Sequence, residues 1–168
     1  MAADLTYNIA ELRLQGLINY KGKKYFFDSR AFSGGRGGST TPGAVDRRLA
    51  NNPFATHVKG EETNNMITKV GGPIPMGKYS MKTSSTVNRI DLFPQTNGNL
   101  AGRTGGFQIH GTGPKGSIGC IVPADFDDVI RLYGLLSDIE DENLPAPVLQ
   151  VVAEGSDIDR FLRLPAIA

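Results

Sequence analysis

The stretch from Gly105 to Pro123 constrains this chain more than any other. It reads Gly-Gly-Phe-Gln-Ile-His-Gly-Thr-Gly-Pro-Lys-Gly-Ser-Ile-Gly-Cys-Ile-Val-Pro. Glycine supports turns that other residues resist, and proline removes a backbone donor, so its middle cannot be regular structure. The pattern predicts a strand, a tight excursion and a second short apolar strand, Cys120-Ile121-Val122. Phe107 and Ile109 then share one face of the first strand, and Gln108 and His110 the other. If the excursion folds back as a hairpin, the imidazole of His110 and the thiol of Cys120 meet at one end of neighbouring strands.

Cys120 is the only cysteine and His110 one of two histidines. An ordinary thiol has a pKa of about 8.5 and is mostly protonated at neutral pH. A neighbouring imidazole accepts its proton and later returns one to a leaving group. Gly119 allows close approach of a substrate carbonyl, and backbone amides beside Cys120 can face a developing oxyanion. The same residues also fit a plainer reading, in which Cys120 is a small buried hydrophobe beside Ile121 and Val122 and His110 ends a strand. Local chemistry leaves both readings open.

The run His110-Gly111 followed by Ser117-x-Gly119-Cys120-Ile121 resembles the signature of the L,D-transpeptidases, cysteine enzymes that remodel peptidoglycan stem peptides. Upstream, Phe32-Ser33-Gly34 and Gly72-Pro73-Ile74-Pro75-Met76-Gly77-Lys78-Tyr79 resemble segments that precede the catalytic strands in that family. The short His-to-Cys interval is most similar to the L,D-transpeptidase-like toxins delivered by type VI secretion. The resemblance runs in patches from Phe32 to Pro123. It departs from the housekeeping enzymes at Ile118, where they carry a second histidine, and at Val122 and Pro123, where Arg or Asn is usual. Those departures bear on cross-linking more than on thiol chemistry. The resemblance implies a β-sandwich-like catalytic domain with Cys120 as nucleophile and His110 as base. It further implies that Gly119, Ser117 and Gly111 support the oxyanion and the turn.

Composition bounds the alternatives. The 168 residues suit one domain with one core, 1–168, in which 1–10 reads as a polar lead-in. A formal net charge of +1 makes no broad electrostatic case for nucleic acid or an anionic membrane. No run approaches the roughly 20 apolar residues that span a bilayer, so membrane insertion is not expected. No Sec-type leader is visible at the N-terminus. For a peptidoglycan enzyme this implies synthesis in the cytoplasm and delivery to the periplasm of a target bacterium, with a cognate immunity protein as a further partner. A removed leader or a phage origin are the alternatives. No cofactor is expected. His57 has only Glu61 and Glu62 near it in sequence, a poor metal set, so no metal is expected either.

Along the chain, alternation from Glu11 to Phe27 around Lys21-Gly22-Lys23 predicts a β-hairpin, and Asp28 to Ser33 continues it. Gly34 to Gly43 reads as a loop at the rim of a cleft or simply on the surface. It does not complete a dinucleotide-binding pattern, and Gly111 to Ser117 does not complete a P-loop. A helical turn or two is expected over 44–50. Strands are expected over Lys78 to Lys82 and Val87 to Phe93, with a turn at Gln95 to Asn99. After Pro123, Asp125 caps the main helix, Asp128 closes a capping box, and Phe126, Val129, Ile130, Tyr133 and Leu136 form its apolar stripe. Ser137 to Asn143 reads as an exposed acidic connection, Val148 to Val152 as a central strand, and 157–164 as a short helix. The expectation is a mostly-β domain with one main helix after Cys120. Two rivals share the sequence: a cysteine amidase or peptidase of other specificity, and a wall-binding module with Cys120 in its core.

Overall fold

A computed structural model describes residues 3–34, 49, 51–58, 61–63, 66–69, 71–95, 101–103, 105–111 and 119–155. The N-terminal segment is not a lead-in. Leu5, Tyr7 and Ile9 alternate inward and are fully buried, and they form strand β1 (Leu5–Asn8) and its exit. The period-2 pattern is present in the sequence, but the polar residues between these three mask it.

β2 (Arg13–Tyr20) and β3 (Lys23–Ser33) form the expected hairpin, with Lys21 and Gly22 both at positive φ (51° and 75°) in its two-residue turn. After a single 3₁₀ turn at Pro53–Ala55 comes a separate two-stranded ribbon, β4 (Glu61–Thr63) and β5 (Met66–Lys69). β6 (Gly77–Thr83) contains the strand expected over Lys78 to Lys82. β7 runs Ile90–Pro94, and Val87 falls in the preceding turn, 68% exposed. The short strands β8 (Gln108–Ile109) and β9 (Ile121–Pro123) follow. The chain then enters helix α1 (Phe126–Asp141) and ends its described part in β10 (Val148–Val152).

Eight strands close a barrel in the order β1-β10-β6-β7-β8-β9-β3-β2. This replaces the expected sandwich, and β1 is the reason. It pairs in parallel with β10 (Leu5 opposite Leu149) and antiparallel with β2, joining what would otherwise be two open edges. Inward-facing Leu14, Phe27, Tyr79, Leu92, Ile109, Ile121 and Leu149 belong to one continuous core.

The helix contributes to the same core, packing against β6 and β9. Asp125 caps it as expected, its Oδ1 accepting the Asp127 N–H at 2.9 Å. Asp128 does not close a capping box, because its carboxylate accepts a hydrogen bond from the Ser29 hydroxyl instead. The buried stripe is Val129, Leu132, Leu135, Leu136 and Ile139, rotated from the expected one, and Phe126 and Ile130 stay exposed. The supposed acidic connection from Ser137 is helical as far as Asp141. Ile139 is the apolar residue that continues the stripe there, and Glu140 is tied to the backbone N–H and hydroxyl of Thr83.

Candidate active site

β8 and β9 run parallel, with Ile109 opposite Ile121. They are therefore not a hairpin. Register then places each side chain. Ile109 and Ile121 point into the barrel and are fully buried, so the alternate residues Gln108, His110 and Cys120 share the outer face. Cys120 stands opposite Gln108, and His110 lies one rung further along on the neighbouring strand. A strand spacing of about 4.8 Å and a rise of about 3.3 Å per residue set their Cα atoms on the order of 8 Å apart. Both side chains are half-buried. The sequence pair thus sits at the ends of neighbouring parallel strands, offset by two residues along them.

The peptide between Gly119 and Cys120 departs from the sheet. His110 N–H donates to the Ile121 carbonyl at 3.1 Å, so a regular parallel ladder two residues earlier would carry the Gln108 N–H to the Gly119 carbonyl. Instead the Ser33 hydroxyl, completely buried, donates to the Gly119 carbonyl at 3.1 Å. The Gln108 N–H donates to Cys120 Sγ at 3.3 Å. The backbone at Gly119 has φ +122°, a conformation that an L side chain resists. A Cβ there would also lie 2.7 Å from Phe107 Cε1 and closer still to Arg103 Nη2. Because the peptide is planar and trans, the Cys120 N–H points away from Ser33.

Three sequence-remote segments converge behind this peptide. Besides holding Gly119, Ser33 Oγ accepts the Ile74 N–H at 2.9 Å, and the Ser33 N–H donates to Asn51 Oδ1 at 2.8 Å. Gly34 abuts the Gly72–Pro73 backbone so closely that no Cβ fits between them. Arg103, 8% exposed, donates through Nη1 to the carbonyls of Thr56 (3.1 Å), Gly72 (3.0 Å) and Pro73 (2.5 Å). Its guanidinium lies 4.9 Å from the centre of the Phe107 ring. Desolvation lowers the Arg103 pKa to about 10, opposed by Tyr79 and Cys120, so it remains cationic at neutral pH. A buried positive charge therefore stands beside the Gly119–Cys120 peptide. Sequence reading missed it: an arginine in a glycine-rich segment, seven residues before His110, belongs to no periodic pattern.

The His110 ring is oriented by its own chain. Nδ1 lies 2.6 Å from the Gly111 carbonyl, which can only accept, so Nδ1 carries the proton and Nε2 presents the lone pair. Gly111 thus supplies a third group, and the Phe126 ring covers its Cα. Burial depresses the His110 pKa, the Gly111 hydrogen bond partly restores it, and the charge of Arg89 lowers it again. Ser117, the Gly34 to Gly43 loop beyond Gly34, the 44–50 helix except Leu49, the 157–164 helix and the Gln95 to Asn99 turn beyond Gln95 lie outside the described residues. Among the described residues no cluster of His, Cys, Asp and Glu could hold a metal ion, and no helix is long and apolar enough to cross a membrane.

Comparisons of the chain with protein-family models, curated proteins and solved structures returned no match.

Proposed function

We propose that this chain is a cysteine enzyme acting on the stem peptides of peptidoglycan. The observation that carries the chemistry is the half-buried Cys120 sulfur accepting a backbone N–H, one rung from an imidazole fixed in its Nδ1–H tautomer. The substrate class rests on the resemblance of the His110–Cys120 run and the two upstream segments to the L,D-transpeptidases. Those upstream segments meet behind Gly119, which gives their presence in the chain a shared structural purpose.

In this reading His110 Nε2 takes the Cys120 proton, and the sulfur attacks the carbonyl on the L-centre side of the diaminopimelate–D-alanine bond. The Cys120 N–H, turned away from Ser33, and the amides near it stabilise the oxyanion. The C–N bond breaks as His110 returns the proton to the departing amine, leaving a thioester on Cys120. Water, a free D-amino acid or a second stem's amine opens the thioester, with His110 again accepting the proton. These outcomes are L,D-carboxypeptidase, exchange and cross-linking. Trimming and exchange suit an antibacterial type VI effector working in the periplasm of a target cell, neutralised in its producer by an immunity protein.

Defined tetrapeptide and pentapeptide muropeptides test the proposal. Release of D-alanine from the L–D junction of the tetrapeptide is expected. Cleavage confined to bonds without an L–D junction would overturn it in favour of an amidase or peptidase of other specificity.

A further inference from the structure

The outer face of β7, β8 and β9 forms a grid. Ile90 pairs antiparallel with Ile109, and Asp91 with Gln108, so the same register sets Arg89 opposite His110 just beyond the end of the ladder. Ile90 and Ile109 are both fully buried, which turns Arg89 and His110 outward together. One row of the grid is then Asp91, Gln108 and Cys120, and the next begins with Arg89 and His110. Nucleophile, base and guanidinium each flank the end of one of three consecutive strands.

Arg89 is exposed, and Gln108 steers it: Arg89 Nη1 donates to Gln108 Oε1 at 3.3 Å. The other end of that carboxamide donates to Asp91 Oδ1 at 2.7 Å. The amide thus separates the two charges and occupies the carboxylate, leaving Arg89 as the cation on the His110 side. Arg89 is also close enough to His110 for its charge to act on the imidazole. It makes no ion pair among the described residues.

We infer that Arg89 binds the α-carboxylate of the D-amino acid that leaves from, or attacks, the acyl group on Cys120. This rests on the peptide-stem reading above. The acyl carbon must sit at Cys120, and the leaving nitrogen at His110, which protonates it. Bond lengths put the carboxyl carbon of a departing amino acid about 3 to 4 Å from the acyl carbon, beyond the nitrogen. From β9 through β8 to β7 the grid spans about two strand spacings, roughly 9.5 Å, and a long arginine side chain reaches back across part of that. A planar guanidinium matches a carboxylate with two parallel hydrogen bonds. Arg89 is thereby a specificity residue, selecting acyl donors that end in a free carboxylate one residue past the scissile bond. It likewise selects free amino acids over simple amines as acceptors.

The test compares wild type with Arg89→Gln and Arg89→Lys, a surface position where folding is not at risk. Two tetrapeptides are used, one ending in free D-alanine and one in D-alanine amide. Wild type is expected to prefer the free acid by about tenfold in kcat/KM, as a charge-assisted pair predicts. Arg89→Gln should abolish that preference and Arg89→Lys should keep part of it. An equal preference in wild type and Arg89→Gln overturns the inference. Alkylation of Cys120 supplies a readout that needs no peptide turnover. Arg89→Gln should lower the rate with iodoacetate relative to iodoacetamide by about threefold at low salt. An unchanged ratio overturns the inference even if wild type cleaves no muropeptide, an outcome that separately removes the peptide-stem reading.

Discussion

Ser33 Oγ donates to the Gly119 carbonyl across 86 residues of chain, and that hydrogen bond decides what faces the Cys120 sulfur. With the carbonyl turned toward Ser33, the Gln108 N–H goes to Cys120 Sγ instead. A backbone donor is thus redirected from sheet-making to the sulfur. The cost is one ladder bond in a strand pair that is already short.

Replacing Ser33 by alanine should return the Gly119 carbonyl toward the ladder and take the Gln108 N–H from the sulfur. A hydrogen bond to a charged group is worth about 1.5–3 kcal/mol, so alkylation of Cys120 by iodoacetamide at neutral pH should slow by about tenfold or more. The Ile74 N–H also loses its acceptor, and denaturant unfolding should show about 1–3 kcal/mol of lost stability. Unchanged alkylation in a folded Ser33→Ala chain would remove Ser33 from the site.

Gly119→Ala is expected to be more severe. The added methyl meets both an unfavourable φ and the Phe107 and Arg103 side chains. Left-handed strain and overpacking each cost about 1–2 kcal/mol or more, so unfolding free energy should fall by at least about 2 kcal/mol. Turnover should fall with it, because any relief moves the Cys120 N–H. Full activity in this variant would show that the close approach of Arg103 is incidental.

Arg103 braces three carbonyls, so Arg103→Met should destabilise the chain by about 2–4 kcal/mol, the penalty for leaving several buried acceptors unpaired. Arg103→Lys keeps a charge, but its shorter chain stops short of the Nη1 position that meets all three carbonyls, and it loses the planar group over Phe107. It should recover only part of the stability in the same unfolding measurement. Equal stability of Arg103→Met and wild type would contradict the brace.

The pH dependence follows from His110. Burial and Arg89 hold its pKa below the ordinary 6.5 or so, leaving the imidazole neutral and able to accept a proton down to that lower value. The acidic limb of kcat/KM should therefore have its midpoint below about 6.5, and Arg89→Gln should move it upward. Stability carries the same signature. In the window between the folded value and about 6.5, the unfolded chain binds more protons, so stability is full above 6.5 and falls as pH drops through the window. A midpoint above 6.5, or one that Arg89→Gln lowers, would contradict this.

Much of the architecture was legible because it is written in two periods. Alternation around Lys21-Gly22 gave the β2–β3 hairpin, and the Asp125 cap with a helical apolar repeat gave α1. What escaped was set by tertiary pairing. β1 reads as polar because Asp4, Thr6 and Asn8 interrupt its buried residues, and without it the closed barrel reads as a sandwich. The relative direction of β8 and β9 is invisible because a glycine-rich sequence between two strands is compatible with either direction. The stripe on α1 shifted because Phe126 lies over Gly111 rather than turning into the core.

At the site, His110, Cys120 and Gly119 were marked by residue type and spacing. Ser33 was reached only through resemblance. Arg103 and Arg89 act through register and buried carbonyls, which leave no local pattern, and the Gly111 carbonyl is a backbone group that any residue would offer.

The most direct measurement is a mass spectrum of muropeptides after incubation with wild type and with Cys120→Ala, side by side. Wild type should convert tetrapeptide stems to tripeptide, or exchange their terminal D-alanine for an added D-amino acid, while Cys120→Ala leaves them intact. Conversion of the stems by both chains, or by neither, would contradict the account.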